Sequence, residues 1–237
     1  MLWGDLRVRR LQAERMDDPG LEVGEHRRAL AGLRRINAWS GTVGAVWGPI
    51  REECRRHGGR AVRVLDVACG GGDVAIGLWR QARVEGWRLE VVGCDRSRVA
   101  VEVGRSEAAR VGAEVGFEER DVIADGVPEN YDVVMSTLFL HHLGEEEAWG
   151  LLRSMWGSGA GLVVVDDLER GWWGWVLAWL GSRVLSRSPV VHGDALKSVE
   201  GAWTGIEAVG LARSAGWLEV ELRRHWPARY LMVGRPR

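Results

Sequence analysis

Val64-Leu65-Asp66-Val67-Ala68-Cys69-Gly70-Gly71-Gly72-Asp73 carries a β-branched apolar run into a glycine loop and on to the start of a helical pattern. A β-branched run such as 61–67 is typical of a strand buried on both faces of a parallel sheet. Three successive glycines permit backbone conformations and close approaches that a Cβ would block. The helix expected over 73–84 turns its free N–H groups toward that loop, where an anionic group is favoured. In such sheets ligands bind beyond the carboxyl ends of the strands. A glycine-rich loop also occurs in dinucleotide enzymes and in plain tight turns, so the stretch decides the fold before it decides the ligand.

Outward from this loop, strands and helices alternate. Further strands are expected at 89–94, 115–119, 131–137 and 161–165, and helices at 97–111 (Ser97 as N-cap), 145–156, 171–186 and 206–215. Strands at 218–224 and 229–233, joined at Trp226-Pro227, are expected to pair antiparallel at one edge. Upstream, 21–57 reads as helical, opened by Asp17-Asp18-Pro19 and interrupted at Gly41 and Gly44. The order predicts an α/β fold with a doubly wound, seven-stranded, mostly parallel, Rossmann-like sheet. An N-terminal helical cap (1–60) precedes the main domain (61–237), and a helical insertion after the fifth strand (169–204) is expected to act as a substrate lid.

Composition narrows the function classes. The 237 residues are 46% apolar and 27% charged, with net charge −1, so no global field attracts nucleic acid or acidic membranes. Cys54, Cys69 and Cys94 are odd in number and lack framework or CxxC spacing, which points to a reducing cytoplasm and away from structural zinc. The charged start (Asp5, Arg7, Arg9, Arg10) has no apolar run behind it, so no signal peptide is expected. No apolar stretch reaches the roughly 18–20 residues of a bilayer span.

The chemistry-bearing residues recur at strand ends. Val92-Gly93-Cys94-Asp95 closes the second strand on a carboxylate that can accept two ribose hydroxyls. Glu119-Arg120-Asp121-Val122 follows the third strand, with an acid for an exocyclic amine and a valine for a ring face. The fourth strand carries Tyr131-Asp132-Val133-Val134 and runs into Ser136-Thr137-Leu138-Phe139-Leu140-His141-His142-Leu143. Together with Leu65-Asp66-Val67-Ala68-Cys69-Gly70-Gly71-Gly72, this set resembles the class I S-adenosylmethionine-dependent methyltransferases across 61–168. The cap residues Leu33-Arg34-Arg35-Ile36-Asn37, Ser40-Gly41 and Val46-Trp47 look like those of quinone-biosynthesis and polyketide-tailoring methyltransferases.

The resemblance implies S-adenosylmethionine as cofactor and S-adenosylhomocysteine as product. Asp66, Gly70 and Gly72 would shape the methionine pocket, Asp95 would hold the ribose, and Asp121 with Val122 the adenine. Ala68, Arg96 and Ser136 complete the expected cofactor set. Ala68 stands where the family pattern has glycine, a change tolerated if the local φ is negative. A dinucleotide dehydrogenase is disfavoured because Asp73, Val74 and Ala75 follow the three glycines and break the GxGxxG spacing.

The expected activity is O- or C-methylation of a phenolic, quinone-like or polyketide acceptor, a reaction of secondary metabolism. His141 and His142 are the candidate bases, since imidazole titrates near neutral pH; alternatively one only fixes the turn by hydrogen bonding. Trp175 and Trp179 share a helical face with Trp172 and Val176, giving either an apolar lid over the acceptor or a helix packed on the core. His192 is expected on a loop that closes over the site. No metal is expected: Asp166-Asp167 follow the fifth strand, but the fourth ends in uncharged Ser136-Thr137 and Asp132 lies at its other end. Asp166-Asp167 are read as polar lining near the acceptor or as a helix start. Expected partners are a small-molecule acceptor, no nucleic acid and no integral membrane segment, with at most weak peripheral membrane contact, in a monomer or homodimer. Two other classes stay open: a non-catalytic S-adenosylmethionine-binding protein, and a protein or nucleic-acid methyltransferase. Against nucleic acid stand the missing Asn/Asp-Pro-Pro-Tyr after the fourth strand and the missing basic patch.

Overall fold

The computed structural model describes residues 6–18 and 20–236; Asp5 and Pro19, invoked above, lie outside the described residues. The apolar runs become seven strands in one sheet: β1 (Val62–Val67), β2 (Leu89–Asp95), β3 (Val115–Glu119), β4 (Val133–Thr137), β5 (Leu162–Leu168), β6 (Val220–His225) and β7 (Arg229–Gly234). Their spatial order is β3-β2-β1-β4-β5-β7-β6. The first five strands are parallel, with Val64 opposite Val91 on one side and Val133 on the other. β7 enters between β5 and β6, antiparallel to both. The expected terminal pair is thus formed, and its second strand lies inside the sheet.

Alternation along the central strands sorts the core. Leu65, Val67, Val134, Val163 and Val165 join α6 (Glu145–Gly157) and α9 (Gly205–Ser214) on one face. Val62, Val64, Val133, Met135, Leu162 and Val164 join α2 (Thr42–Arg56) and α3 (Asp73–Val84) on the other. Each such side chain contributes roughly 1.5–3 kcal/mol when fully buried. A central strand covered on both faces is therefore largely apolar, as β1 is apart from Arg63, which is exposed, and Asp66 at its loop end.

Several expectations on boundaries change. The helical cap is two helices, α1 (Val23–Trp39) and α2, with a single break at Ser40-Gly41, where Gly41 has φ 67°. Gly44 lies within α2. Glu22, not Asp17-Asp18-Pro19, caps α1 by accepting from the Gly24 and Glu25 amides; Arg15–Asp17 instead forms a 3-10 turn. Ser97 caps α4 (Arg98–Val111) as expected, accepting from the Ala100 amide. The short α5 (Val122–Asp125) and the 3-10 turn Leu140–His142 lack the length that periodicity needs. β5 runs three residues beyond the apolar run, through Asp166 and Asp167 to Leu168. The insertion after it holds two helices, α7 (Trp172–Leu185) and α8 (Pro189–Gly201), which pack on each other and on α1. Among the described residues no helix is long and apolar enough to cross a membrane.

Candidate active site

A cavity of about 1270 Å³ opens over the carboxyl ends of the parallel strands, between the sheet and the α1, α7 and α8 helices. Ligand pockets are commonly ~300–1,000 Å³, so this one has room for two small ligands together. Ala68, Gly70, Asp95, Asp121 and Val122 line one end, and Arg96 joins it to the other, its Nη2 3.4 Å from Asp17 Oδ1. Glu14, Asp17, His141 and His142 line the other, with Leu177 and Leu185 of α7.

The strand-end half is organised by backbone amides. Asp95 ends β2 and accepts from Gly70 N at 2.8 Å through Oδ2 and from Ser97 N at 2.8 Å through Oδ1. Burial pushes its carboxyl above the usual range, while these two bonds pull the other way. Each oxygen keeps a second lone pair for a hydroxyl donor. Asp121 caps α5 through one oxygen, Oδ1, which accepts from the Ile123 and Ala124 amides at 3.0 and 3.3 Å. Val122 beside it is buried. Ala68 has φ 55°, not the negative value on which its tolerance was premised, and so bears the Cβ strain of the left-handed region.

Three expected cofactor residues stand behind the wall. Asp66 is fully buried under the loop, and neither carboxylate oxygen has a hydrogen-bond partner. Burial, reinforced by the negative fields of Asp73 and Asp95, pushes its carboxyl well above the usual range. Gly72 heads α3 at φ 72°, and a Cβ there would lie 2.3 Å from Phe117 Cε1. It is required for loop packing. Ser136 is buried and donates to the Val67 carbonyl at 3.2 Å, tying β4 to β1. Its neighbour Thr137, on the alternate face, lines the cavity instead.

The lid helix lines the cavity with the face opposite to that expected. Gly174, Leu177, Ala178, Gly181, Ser182 and Leu185 form the lining stripe. Trp172, Trp173 and Trp179 are exposed. Trp175 stacks on Trp172 at 6.2 Å and donates to Glu200 at 3.4 Å. Small residues toward the ligand leave volume that tryptophans would fill. His192 is not on a loop: it lies in α8, its Nε2 2.8 Å from the Ser186 carbonyl, while Val191, Asp194 and Ala195 line the cavity.

The two histidines part company. His141 is buried, and its Nδ1 lies 2.6 Å from Asp167 Oδ1. An ionised carboxylate only accepts, so Nδ1 carries the hydrogen and Nε2 is left for the cavity. Burial works against the charge on Asp167, but the field and hydrogen bond of His141 and the Leu168 amide hold its carboxyl below the usual range. His142 Nδ1 lies 2.9 Å from Asp17 Oδ2. Burial disfavours its cation, yet the Asp17 bond and the fields of Glu14, Asp17 and Asp167 outweigh this and raise its pKa to about 9. At neutral pH that favours the His142 cation, while the His141 ring, held through Nδ1 by Asp167, turns Nε2 toward the cavity. Because β5 continues to Leu168, Asp166 and Asp167 fall on opposite faces. Asp166 is fully buried, 2.5 Å from His225 Nε2 and 3.6 Å from Arg229 Nη1. Neither acid starts a helix.

From the sequence, Glu14 has no role and Asp17 only that of a helix start. They sit in a polar stretch with no periodicity, and Asp17 reaches a histidine 125 positions away. Asp167 was flagged as an acid after a buried strand, but its partner was not foreseen.

A family model described as a methyltransferase domain matches residues 64–158. Ubiquinone biosynthesis O-methyltransferase of Alkalilimnicola ehrlichii is 30% identical over 125 residues, 52% of this chain and 48% of that protein. The protein of the same name from Bartonella quintana is 23% identical over 129 residues, 53% of this chain and 49% of its own. The chain thus spans about half the length of the curated relatives it matches. Among solved structures, magnesium protoporphyrin IX methyltransferase from Synechocystis PCC 6803, with bound SAH, superposes with a TM-score of 0.58 at 17% identity, covering 94% of this chain and 91% of that one. A plantazolicin methyltransferase in complex with SAH gives 0.57 at 14% identity, covering 90% and 96%. At such identities the likeness is one of fold.

Proposed function

We propose that this chain, whose residues 64–158 match a methyltransferase domain, is an S-adenosylmethionine-dependent enzyme that methylates an oxygen or carbon of a phenolic, quinone-like or polyketide small molecule. The observation that carries the reading is one continuous cavity joining the Asp95–Asp121 wall to the His141–Asp167 pair. The Asp95 and Asp121 carboxylates on the cavity wall keep unused lone pairs, which fits the hydroxyls and amine of a nucleoside.

When bound, S-adenosylmethionine supplies a methyl group on a sulfonium that is already electrophilic. The chain's own residues then bind, orient and move a proton. Asp95 has lone pairs for both ribose hydroxyls, and Asp121 keeps Oδ2 for the adenine amine. Val122, on the cavity wall, would pack against the adenine ring. Much of the rate enhancement in such a displacement comes from orientation, up to roughly 7–11 kcal/mol in favourable cases. The cap and α7 hold the acceptor and exclude water. His141 Nε2 accepts the acceptor hydroxyl's proton, with Asp167 fixing the ring and offsetting the imidazolium charge. His142, already a cation, favours the acceptor's anion. The buried, unpaired Cys54, Cys69 and Cys94 support a cytoplasmic setting.

Incubation with methyl-labelled S-adenosylmethionine and a panel of phenols, hydroxyquinones and polyketides tests the proposal. Label should appear in at least one acceptor, with S-adenosylhomocysteine formed in equal amount. Cofactor binding with label passing only to protein or nucleic acid would contradict the small-molecule reading.

A further inference from the structure

Glu14, His141 and His142 each present one donor atom, and these three atoms lie within 4.8 Å of one another. Glu14 Oε1 is 3.9 Å from both His141 Nε2 and His142 Nδ1. Asp17 lies outside this group: its Oδ2 holds His142 Nδ1 at 2.9 Å, and its Oδ1 is 3.4 Å from Arg96 Nη2. We propose that this cluster is a binding site for a divalent transition-metal ion in the acceptor half of the cavity.

The proposal rests on the acceptor reading given above only for what the ion would touch, and with an ion bound it replaces the proton-taking role of His141. A ring nitrogen that ligates a metal cannot also accept a proton, and His142 would bind as the neutral ring, its Nδ1 released from Asp17. Three features separate the cluster from an ordinary group of charges. First, the His141 ring is held as metal-ligating imidazoles usually are: Nδ1 bonded to a buried carboxylate, Asp167, at 2.6 Å, and Nε2 turned to the site. Second, Glu14 is anchored by Ser198 Oγ at 2.7 Å, and the His141 and His142 rings lie 4.2 Å apart. Third, all three donor residues line the cavity, so an ion held there keeps open positions facing the acceptor. Ligand atoms around a four-coordinate ion at about 2.0–2.2 Å are about 3.3 Å apart. The two Glu14 distances of 3.9 Å need to contract by about half an ångström, and the two histidine nitrogens, within 4.8 Å of each other, must also close by side-chain rotation.

The donor set also chooses the ion class. Two imidazoles with one carboxylate suit Zn²⁺ or Fe²⁺, whereas Mg²⁺ favours oxygen ligands. The earlier expectation of no metal considered only acids after the fourth and fifth strands. This cluster is assembled from the N-terminal segment and the 140–142 turn. An ion there would take an oxygen of the acceptor as ligand and polarise it, favouring acceptors with two adjacent oxygens.

Chelator-treated full-length protein titrated with Co²⁺ and with Zn²⁺, by calorimetry and by Co²⁺ visible absorption, tests the site. One ion per chain is expected, with affinity at least tenfold weaker in Glu14→Gln and in His142→Ala. Absence of saturable Co²⁺ and Zn²⁺ binding to the wild type would overturn the proposal, as would binding that neither substitution alters. S-adenosylhomocysteine titrated into the same samples reports the other half of the cavity. If it binds and neither metal does, the metal site fails while the methyltransferase reading stands.

Discussion

The two ends of the cavity are built by different rules. At the cofactor end, each proposed contact sits at the carboxyl end of a parallel strand, where the ladder leaves little freedom. Asp95 lies one residue from Cys94, itself paired with Val67 across β1–β2. At the acceptor end, the walls come from α7, α8, a 3-10 turn and an N-terminal segment without regular structure. Neighbours there are far apart in sequence, as His142 and Asp17 are. A site on the sheet is readable because period and order determine where its residues go; a site on the cap depends on tertiary packing that local patterns do not encode.

The widest gap between the halves should appear in turnover. His141→Gln, which keeps a donor for Asp167, should lower kcat by about 10²–10⁴-fold and leave S-adenosylhomocysteine binding intact. A loss of cofactor affinity instead would erase the division between the halves.

The corrected face of α7 gives a second contrast. Leu177→Trp should raise the acceptor KM about tenfold, roughly 1.4 kcal/mol of lost binding, by filling the lining stripe. Trp175→Ala should leave KM nearly unchanged. The reverse pattern would return the tryptophan face to the lid.

The charge on His142 sharpens the account of the acceptor end. In metal-free protein, NMR titration should give it a pKa of about 9, falling toward the ordinary value of about 6.5 in Asp17→Asn. Because the folded pKa is raised, the stability that this ion pair contributes is fully present below about pH 6.5 and is lost as pH rises through about 9. A pKa that Asp17→Asn does not move would remove Asp17 as its partner.

The smallest effect tests the cofactor end's one backbone surprise. Ala68→Gly should relieve strain of ~1–2 kcal/mol at φ 55°, partly offset by a looser unfolded chain. The net is a rise in Tm of about 2 °C. A fall would mean that the loop holds Ala68 without strain.

These contrasts follow how much the residues disclosed. The β-branched runs, Ser97 as a cap and the acid at Asp95 were legible because strand burial and capping are local. The inward turn of Ser136, the role of Gly72 against Phe117 and the outward tryptophans of α7 were not. Each depends on which face meets which neighbour. The stripe that lines the cavity was hidden because small residues at 174, 178, 181 and 182 carry little hydrophobic signal, although α7 as a helix was plain.

Calorimetric titration with S-adenosylhomocysteine, on the wild type and on Asp95→Ala, tests the central claim most directly. Micromolar binding is expected, weakened about 100-fold in the variant, as the loss of charge-assisted bonds at ~1.5–3 kcal/mol each implies, with no binding of NADH. Folded wild-type protein that takes up no S-adenosylhomocysteine, or an Asp95→Ala variant that binds it equally well, would contradict the account.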